Sequence, residues 1–303
     1  MKKWFVLILA LLMLCTGAMA EDNWLAGILG KDILNGDTAS NGQNIALLRF
    51  EDAIEKSAYF YDQAGTLEAI DALREDADNQ ALLLVLDTPG GSLYDADEVY
   101  HALMRYKADT GRPVYAYMAE ECCSAGVFIA MGADTIGAGR MTITGNVGAY
   151  IESYSEAGLY EKLGLEHVYV STGKNKVSGY PELTSEQQEI YQQLVDESFG
   201  YFKQAITQAR GLTEEQMAGF LDGRMLSAVQ AQQMGLVDDV LYFDEMLEHI
   251  EKKHPGAELV DVTPEETYGL DGAFEVPQLF KWLEESGGDG ETASRRPSTF
   301  TGL

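Results

Sequence analysis

The sequence predicts an α/β fold whose core is a largely parallel sheet. Helical and strand patterns alternate along the chain, as they do in repeated strand–helix–strand units. The run Ala81–Leu86 is apolar throughout, which is typical of a strand buried on both faces of a parallel sheet. With 303 residues and no linker-like stretch in its middle, the chain has room for one large domain or two small ones.

Short apolar runs between turn residues predict the strands, and longer periodic stretches predict the helices. In chain order, strands are expected at Ile45–Phe50, Ala81–Leu86, Pro113–Met118, Thr135–Ala138, Thr142–Ile151 and Glu166–Val170. Helices are expected at Thr66–Ala77, Leu93–Tyr106, Ala125–Met131, Tyr154–Leu163, Ser185–Arg210, Glu214–Leu221 and Ala228–Met234. The longest helix follows from an apolar stripe at helical spacing, which runs from Ile190 to Ile206.

Ser124 follows a predicted strand and opens an apolar helical run, with the small residues Ala125 and Gly126 directly behind it. Free backbone N–H groups and the helix dipole favour negative charge at a helix N-terminus. A serine nucleophile and a developing oxyanion would both be stabilised there. The alternative is that Ser124 only caps the helix, which is the usual role of serine at a helix start.

The segment Asp87-Thr-Pro-Gly-Gly-Ser92 follows the apolar strand predicted at Ala81–Leu86. Paired glycines allow unusual backbone angles and a close approach of the backbone to a ligand. The backbone N–H groups of this loop are therefore candidates to donate to a substrate carbonyl. The alternative is an ordinary strand-to-helix turn in which Ser92 caps the next helix.

A third segment, Ser171-Thr-Gly-Lys-Asn-Lys176, places two lysines in a loop after the expected strand Glu166–Val170. A loop lysine is most often a solvated surface charge, so this segment carries little weight by itself. A lysine acts as a general base only when it is neutral. Its reference pKa of about 10.4 must therefore be lowered by burial or by neighbouring positive charge.

Together these segments resemble the signal peptide peptidase A family of serine–lysine peptidases, which share the fold of the Clp protease and the crotonases. The resemblance runs from about Ile45 to about His249. It rests on five motifs in order, namely Thr88-Pro-Gly-Gly91, Ser124-Ala-Gly126, Thr144-Gly-Asn-Val-Gly148, Gly173-Lys-Asn-Lys176 and Asp222-Gly-Arg224 with Gln230-Ala…Gly235-Leu-Val-Asp238. The resemblance implies repeated βαβ units with a largely parallel sheet in a single catalytic domain.

The resemblance also implies the roles of individual residues. Ser124 matches the nucleophile and Lys176 the general base, while Lys174 is the rival base. The implied oxyanion hole consists of the N–H groups of Gly91 and Ala125. The residues implied to bind substrate are Gly90, Gly145, Asn146 and Val147. No metal or cofactor is expected.

Three positions depart from the family pattern. Ala125 replaces the usual first glycine after the nucleophile, and Thr88 replaces the usual serine. Cys122 and Cys123 stand where small residues are usual, and we expect them to be small buried hydrophobes. If the two thiols formed a bond between neighbours, it would be strained and reducible, and would act as a redox lock on the helix start.

Other classes of function compete with the peptidase. A Ser-His-Asp triad would need one of the four histidines, but no Gly-x-Ser-x-Gly turn surrounds Ser124. A crotonase-like acyl-CoA enzyme would use the same fold and oxyanion hole, but the chain lacks a basic patch for the CoA phosphates. A catalytically silent peptide-binding scaffold is the remaining alternative. The candidates for the triad base are His101, His167, His249 and His254.

Charge and the first twenty residues indicate the cellular location. The formal net charge of −28 disfavours nucleic acid and anionic lipid headgroups as partners. Lys2 and Lys3 precede the apolar run Trp4–Leu14, and Ala18-Met-Ala20 supplies a small-residue cleavage pattern. Residues 1–20 are therefore predicted to be a cleaved signal peptide, with an uncleaved membrane anchor as the alternative. The protein is accordingly expected in the periplasm or another extracytoplasmic space.

The rest of the chain divides into a lead segment (21–44), the peptidase domain (45–253), a C-terminal docking segment (254–283) and a disordered tail (284–303). The docking segment has an apolar cluster from Phe274 to Trp282, and the polar tail could occupy the substrate groove of its own protein. Larger family members carry two tandem copies, whereas this chain has room for one, which must supply both Ser124 and Lys176. By resemblance, a homo-oligomer is expected whose grooves come from adjacent protomers. The expected substrates are signal-peptide remnants, other apolar peptides or membrane-protein fragments, or misfolded exported proteins, and the sequence does not choose between them.

Overall fold

The computed structural model describes residues 42–56, 58, 61–179 and 182–264. The predicted signal peptide, nearly all of the lead segment, most of the docking segment and the tail lie outside the described residues, and so do the predictions made for them. Among the described helices, none combines the length and the apolar character that a membrane crossing requires.

A single mixed sheet organises the described residues. Its strands are β1 (Asn44–Glu51), β2 (Asn79–Thr88), β3 (Val114–Cys123), β4 (Thr135–Ala138), β5 (Ile143–Gly145), β6 (Met225–Ser227), β7 (Asp239–Val240) and β8 (Glu258–Asp261). The order is β6–β5–β3–β2–β1–β8, and β4 pairs with β3 and β7. Every described pairing is parallel except that of β5 with β6. The predicted α/β class with a largely parallel sheet is confirmed.

Helices connect the parallel strands. They are α1 (Gln63–Glu75), α2 (Leu93–Thr110), α3 (Ala125–Ala130), α4 (Ala157–Leu163), α5 (Ser185–Arg210), α6 (Glu214–Met217), α7 (Ala228–Gln233) and α8 (Phe243–Lys253). The first three helices form the crossovers from β1 to β2, from β2 to β3 and from β3 to β4. These are the repeated βαβ units that the alternation of patterns predicts.

The two faces of the sheet are buried in separate clusters. Alternate residues of β1 and β2 point to opposite faces, so the larger cluster takes Leu48 and Leu84 while the smaller takes Leu47 and Leu83. α8 covers the smaller cluster with Phe243, Met246 and Ile250. Because both faces are covered, β2 is apolar without a break from Ala81 to Leu86, as the sequence predicts.

The candidate site lies where β2 and β3 end, because parallel strands bring their carboxyl ends to one edge. β3 pairs with β4 through residues 115–118 and with β5 through residues 121–123. The register between β2 and β3 shifts between Leu86 and Thr88. There the carboxylate of Asp87 accepts a hydrogen bond from the Glu121 N–H at 3.0 Å, which holds the two strand ends together.

Several expected elements differ from the structure. The strand expected at Glu166–Val170 is wrong: this stretch is exposed and has no strand partner among the described residues. The strand expected at Thr142–Ile151 is confined to β5, because the backbone turns at Asn146. The sequence interpretation also missed α8, β6, β7 and β8. The short strands carry little pattern of their own, since tertiary pairing determines them.

Candidate active site

Ser124 occupies the turn between β3 and α3 in a rare backbone conformation. Its φ is 49° and its ψ is −113°, a region that non-glycine residues seldom adopt. The Ser124 N–H donates to the Gly145 carbonyl at 2.9 Å, and its own carbonyl accepts from the Phe128 N–H at 3.1 Å. Strain of this kind costs about 1–3 kcal/mol and persists only where the surroundings enforce it.

The side chain of Ser124 does not cap the helix that it precedes. Among the described residues its hydroxyl makes no capping hydrogen bond. By contrast, the Ser92 hydroxyl accepts from the Asp95 N–H at 3.2 Å, which is the ordinary capping role. The capping interpretation therefore holds for Ser92 and not for Ser124, whose half-buried side chain lines a groove.

The paired glycines bring the β2–α2 loop against Ser124. Gly90 has φ of 111°, and a Cβ there would lie 2.7 Å from the Ser124 Cβ. Gly91 has φ of 148°, and a Cβ there would lie 2.5 Å from the Ile54 carbonyl oxygen. The Ile54 N–H donates to Gly90 and the Ile54 carbonyl accepts from Ser92, both at 2.8 Å. This short bridge fixes the loop, and only glycine fits at either position.

Two backbone N–H groups are available beside Ser124. Gly90 is not one of them, because its N–H donates to the Thr88 hydroxyl at 3.1 Å. The N–H groups of Gly91 and Ala125 have no hydrogen-bond acceptor in the described part of the chain, and both residues line the groove together with Ser124. The pair predicted as the oxyanion hole is thus brought to one place, with both donors unoccupied.

Replacing Gly91 by alanine tests this donor. The new methyl group would collide with Ile54 backbone atoms at 2.5–2.9 Å, so the loop and its N–H must shift. We expect kcat for peptide cleavage to fall by about 10²–10³, the usual effect of losing one oxyanion donor. Gly111→Ala is the control: Gly111 also has positive φ, but its Cβ would meet nothing within 4 Å. A Gly91→Ala variant with an unchanged kcat would contradict the assignment.

The departures from the family pattern are accommodated locally. The Thr88 hydroxyl accepts a backbone hydrogen bond as a serine would, while its methyl carbon would lie 2.6 Å from any Cβ at Gly126. Gly126 is therefore required beneath Thr88. Ala125 is buried, with 1% of its surface exposed, so its methyl group points away from solvent.

A groove of about 520 Å³ runs past Ser124. Its walls come from the β2–α2 loop, the start of α3, the segment after β5 and the middle of α5. The lining residues are Glu55, Pro89, Gly91, Ser92, Leu93, Ser124, Ala125, Asn146, Gly148, Ala149, Tyr150, Ile151, Leu194, Val195 and Ser198. Most are small or apolar, which suits an extended apolar segment of polypeptide.

The segment Gly145–Val147 contributes in three different ways. Gly145 offers its carbonyl to Ser124, and Asn146 lines the groove with a positive φ of 53°. The Asn146 N–H donates to the Arg224 carbonyl at 2.8 Å, so the later Asp222-Gly-Arg224 motif supports this turn. Val147 is fully buried in the larger core and is not among the groove-lining residues.

Both loop lysines are exposed. Lys174 makes an ion pair with Glu186 at 2.6 Å. Lys176 does not line the groove, and no hydrogen bond or ion pair of its ammonium group is found among the described residues. Within one chain the structure therefore brings together Ser124 and the two N–H donors, and leaves Lys176 outside their groove.

Cys122 and Cys123 behave as buried hydrophobes. As neighbours on β3 they point to opposite sides: the Cys122 Sγ would lie 3.1 Å from a Cβ at Gly126, and the Cys123 Sγ faces the Ile143 carbonyl at 3.9 Å. Both thiols are free. Burial raises the pKa of Cys122 well above its usual value and that of Cys123 to about 12. This arrangement does not support the redox lock.

None of the four histidines, all of which are described, lines the groove. His101 is exposed on α2. The His254 ring lies 3.1 Å from the Tyr115 hydroxyl beneath the sheet, where burial lowers its pKa. The geometry therefore gives no support to a histidine base for Ser124.

Comparison with known families gives one match over the middle of the chain. Residues 106–256, which include Ser124 and both loop lysines, match the family described as Peptidase family S49. The chain carries a domain of peptidase family S49. The resemblance to the signal peptide peptidase A family is thereby confirmed. The S49 match begins after the Gly90–Gly91 loop, so it does not include that half of the oxyanion hole.

Three relatives of the S49 domain are similar in sequence. A candidate protease of Synechocystis sp. is 36% identical over 58% of this chain and 64% of its own length. A candidate signal peptide peptidase SppA of Enterococcus faecium is 27% identical over 64% of this chain and 56% of its own length. The chloroplastic serine protease SPPA of Arabidopsis thaliana is 29% identical over 57% of this chain and 26% of its own length. The matches thus span less than two thirds of the length of each relative.

Proposed function

We propose that the protein is a serine endopeptidase in which Ser124 is the nucleophile and Lys176 the general base. One observation carries the proposal: Ser124 is held in a strained turn and lines the same groove as the Gly91 and Ala125 N–H groups. Membership in a peptidase family and relatives named as proteases further support a serine-type peptidase.

The reaction proceeds through an acyl-enzyme. The Ser124 Oγ attacks the peptide carbonyl carbon while its proton passes to the neutral lysine amine. The Gly91 and Ala125 N–H groups donate to the oxyanion that forms. When the C–N bond breaks, the lysine returns the proton to the leaving amine. Water, deprotonated by the same lysine, then releases the acyl group as a carboxylic acid and restores Ser124.

Lys176 is the proposed base although it lies outside the groove of its own chain. Its rival Lys174 is held by Glu186. Lys176 can reach a serine by two routes, namely movement of its own loop or supply from a neighbouring copy. The resemblance favours the second route, because family assemblies build each groove from adjacent protomers.

An apolar flank supports the proposed homo-oligomer. We define this flank by its exposed large side chains, which are Tyr150, Tyr154, Leu159, Leu163, Val168 and Val170. Val170 is completely exposed and Tyr150 is 82% exposed, and none of the residues of α4 is buried. All six residues lie in one stretch of the chain, from 150 to 170, and exposed apolar side chains in such numbers are typical of an interaction site. We propose that a second copy covers the flank, which includes the groove-lining residue Tyr150, and brings a neighbouring Lys176 loop close to that groove.

The proposed substrates are apolar peptides, such as signal-peptide remnants or fragments of membrane proteins. The groove lining is mostly apolar, and two relatives carry the SppA name. The basic and apolar start of the chain supports export to the periplasm or another extracytoplasmic space, with membrane association if the segment is retained.

The proposal is tested with an internally quenched apolar peptide and a fluorophosphonate probe. We expect cleavage of the peptide and attachment of one probe per chain, with the label mapped to Ser124 by mass spectrometry. A peptide-binding scaffold would bind the peptide without cleavage. Binding without cleavage or labelling, in every assembly state of the purified protein, would overturn the proposal.

A further inference from the structure

The loop that carries Lys176 is bound to the first turns of α5. Before the lysine, the Glu186 carboxylate accepts hydrogen bonds from the Lys174 ammonium at 2.6 Å and from the Asn175 amide at 3.2 Å. Lys174 and Glu186 are both exposed, so solvent screens the attraction between their charges. These contacts orient the first half of the loop but contribute little to its stability.

After the lysine, two further side chains of α5 hold the loop. The Gln187 amide nitrogen donates to the Val177 carbonyl at 3.3 Å. The Tyr191 hydroxyl shares a hydrogen bond with the Ser178 hydroxyl. Gln187 is buried, with 6% of its surface exposed, and a hydrogen bond is stronger where water is excluded. The residues on both sides of Lys176 are therefore attached to α5, and Gln187 supplies the most buried attachment.

Gln187 uses different atoms for the loop and for the helix end. Its Oε1 accepts from the Thr184 N–H at 3.1 Å, which completes the capping box of α5 and leaves Nε2 for Val177. The capping boxes of α6 and α7 also contain a glutamine at this position, Gln216 and Gln230. In the described part of the chain, the Nε2 groups of those two glutamines donate no hydrogen bond. A capping box thus forms without such a link, and the bond to the lysine loop is particular to Gln187.

The same helix also contacts the groove and the helix that follows the serine. Leu194 and Val195, in the middle of α5, line the groove. Further along, the Phe202 ring packs edge-on against the Phe128 ring of α3, with 5.2 Å between the ring centroids. Ser124 immediately precedes α3. A single helix therefore joins the lysine loop to the wall of the groove.

We propose that Gln187 is a positioning residue for the general base, because it holds the loop in the conformation that presents the Lys176 amine. This inference deepens the proposed peptidase function and rests on it. It applies whether the amine serves its own chain or a neighbouring copy, since the bond sets the shape of the loop. Misplacing a reacting group by about 1 Å can lower a rate by about 10². Loss of the bond should therefore lower kcat, while KM depends on the groove and should stay nearly unchanged.

Gln187→Met tests the inference, and Gln216→Met is its matched control. Both substitutions remove the acceptor of a capping box, but only Gln187→Met removes a bond to the lysine loop. For cleavage of the quenched apolar peptide, we expect kcat of Gln187→Met to fall about 10–100-fold, with KM within about twofold of the wild type. Gln216→Met should keep both constants.

Gln187→Glu shows whether a lower kcat comes from a weakened helix end. Glutamate keeps the capping acceptor but places an oxygen against the Val177 carbonyl. This variant should therefore lose kcat while its midpoint of urea denaturation stays at the wild-type value. Gln216→Glu adds the same charge away from the loop and should keep kcat.

A double variant distinguishes positioning of the base from damage to the groove. Lys176→Ala retains the residual cleavage that the oxyanion hole supports. Adding Gln187→Met to it should lower kcat no further, because the amine to be positioned is gone. Equal losses in the two backgrounds, or an unchanged kcat in Gln187→Met and Gln187→Glu, would overturn the inference while the peptidase function stands. A wild-type kcat in Lys176→Ala would overturn the assignment of the base and, with it, this inference.

Discussion

Replacing Ser124 by alanine is expected to abolish peptide cleavage and probe labelling while the fold stays intact. Loss of a nucleophile lowers kcat by at least about 10⁴. Because the Ser124 hydroxyl makes no capping bond, the free energy of unfolding should change by less than about 0.5 kcal/mol. Cleavage is measured with the quenched peptide, and stability by urea denaturation followed by circular dichroism.

Ser227→Ala is the control for this variant. Ser227 also precedes a helix, α7, but its hydroxyl accepts from the Gln230 N–H and closes a capping box. Its removal should cost about 1 kcal/mol of stability and leave cleavage unchanged. Ser124→Ala should therefore lose cleavage and keep its stability, whereas Ser227→Ala should lose stability and keep cleavage. If Ser124→Ala loses stability and keeps activity, Ser124 is a structural cap and the nucleophile lies elsewhere.

Lys176→Ala is expected to lower kcat by about 10²–10⁴, the range for losing a general base. Lys174→Ala is its neighbour control, because it removes only an exposed, solvent-screened ion pair with Glu186. Lys174→Ala should keep activity within about twofold of the wild type. Equal losses in the two variants would mean that the loop is needed for its shape and that neither amine has a special role.

Mixing Ser124→Ala with Lys176→Ala shows whether Lys176 acts on the serine of its own chain or on that of a neighbouring copy. Ser124→Ala still carries the lysine, and Lys176→Ala still carries the serine. If the base comes from a neighbouring copy, refolding the two together should restore part of the activity. If the loop acts within its own chain, the mixture should stay inactive. A sedimentation measurement that finds a fully active monomer would contradict the proposed assembly.

The helices and the central strands were predictable because their patterns are local. α5 begins and ends at the predicted residues, Ser185 and Arg210. Its apolar stripe and its polar ends lie within one continuous stretch of the sequence and can therefore be recognised without tertiary information. β2 was recognised from an unbroken apolar run. By contrast, Glu166–Val170 has the apolar content of a strand but no partner among the described strands. A strand needs a neighbour, and sequence pattern alone cannot supply one.

The serine and its glycines were also predictable, whereas the residues that hold them were not. Ser124, Gly91 and Ala125 occur in recognisable runs at the ends of predicted elements. Ile54 is a single apolar residue in a loop, and nothing local marks it as the partner of Gly90 and Ser92. Likewise, Arg224 supports Asn146 through its backbone carbonyl, a role that its side-chain type does not reveal.

The support of Asn146 by Arg224 has a consequence for the growing chain. The turn at Asn146 depends on the Arg224 carbonyl, which lies seventy-eight positions further along the chain, and the Gly90–Ser92 loop depends on Ile54, which is synthesised before both. Partial products of translation that end before Arg224 therefore lack the support of the Asn146 turn, even where they already contain the serine. In the proposed peptidase, we expect this dependence between early and late segments to delay an active groove until nearly the whole domain has been synthesised. Unfinished copies of the proposed peptidase would then have little opportunity to cut other proteins.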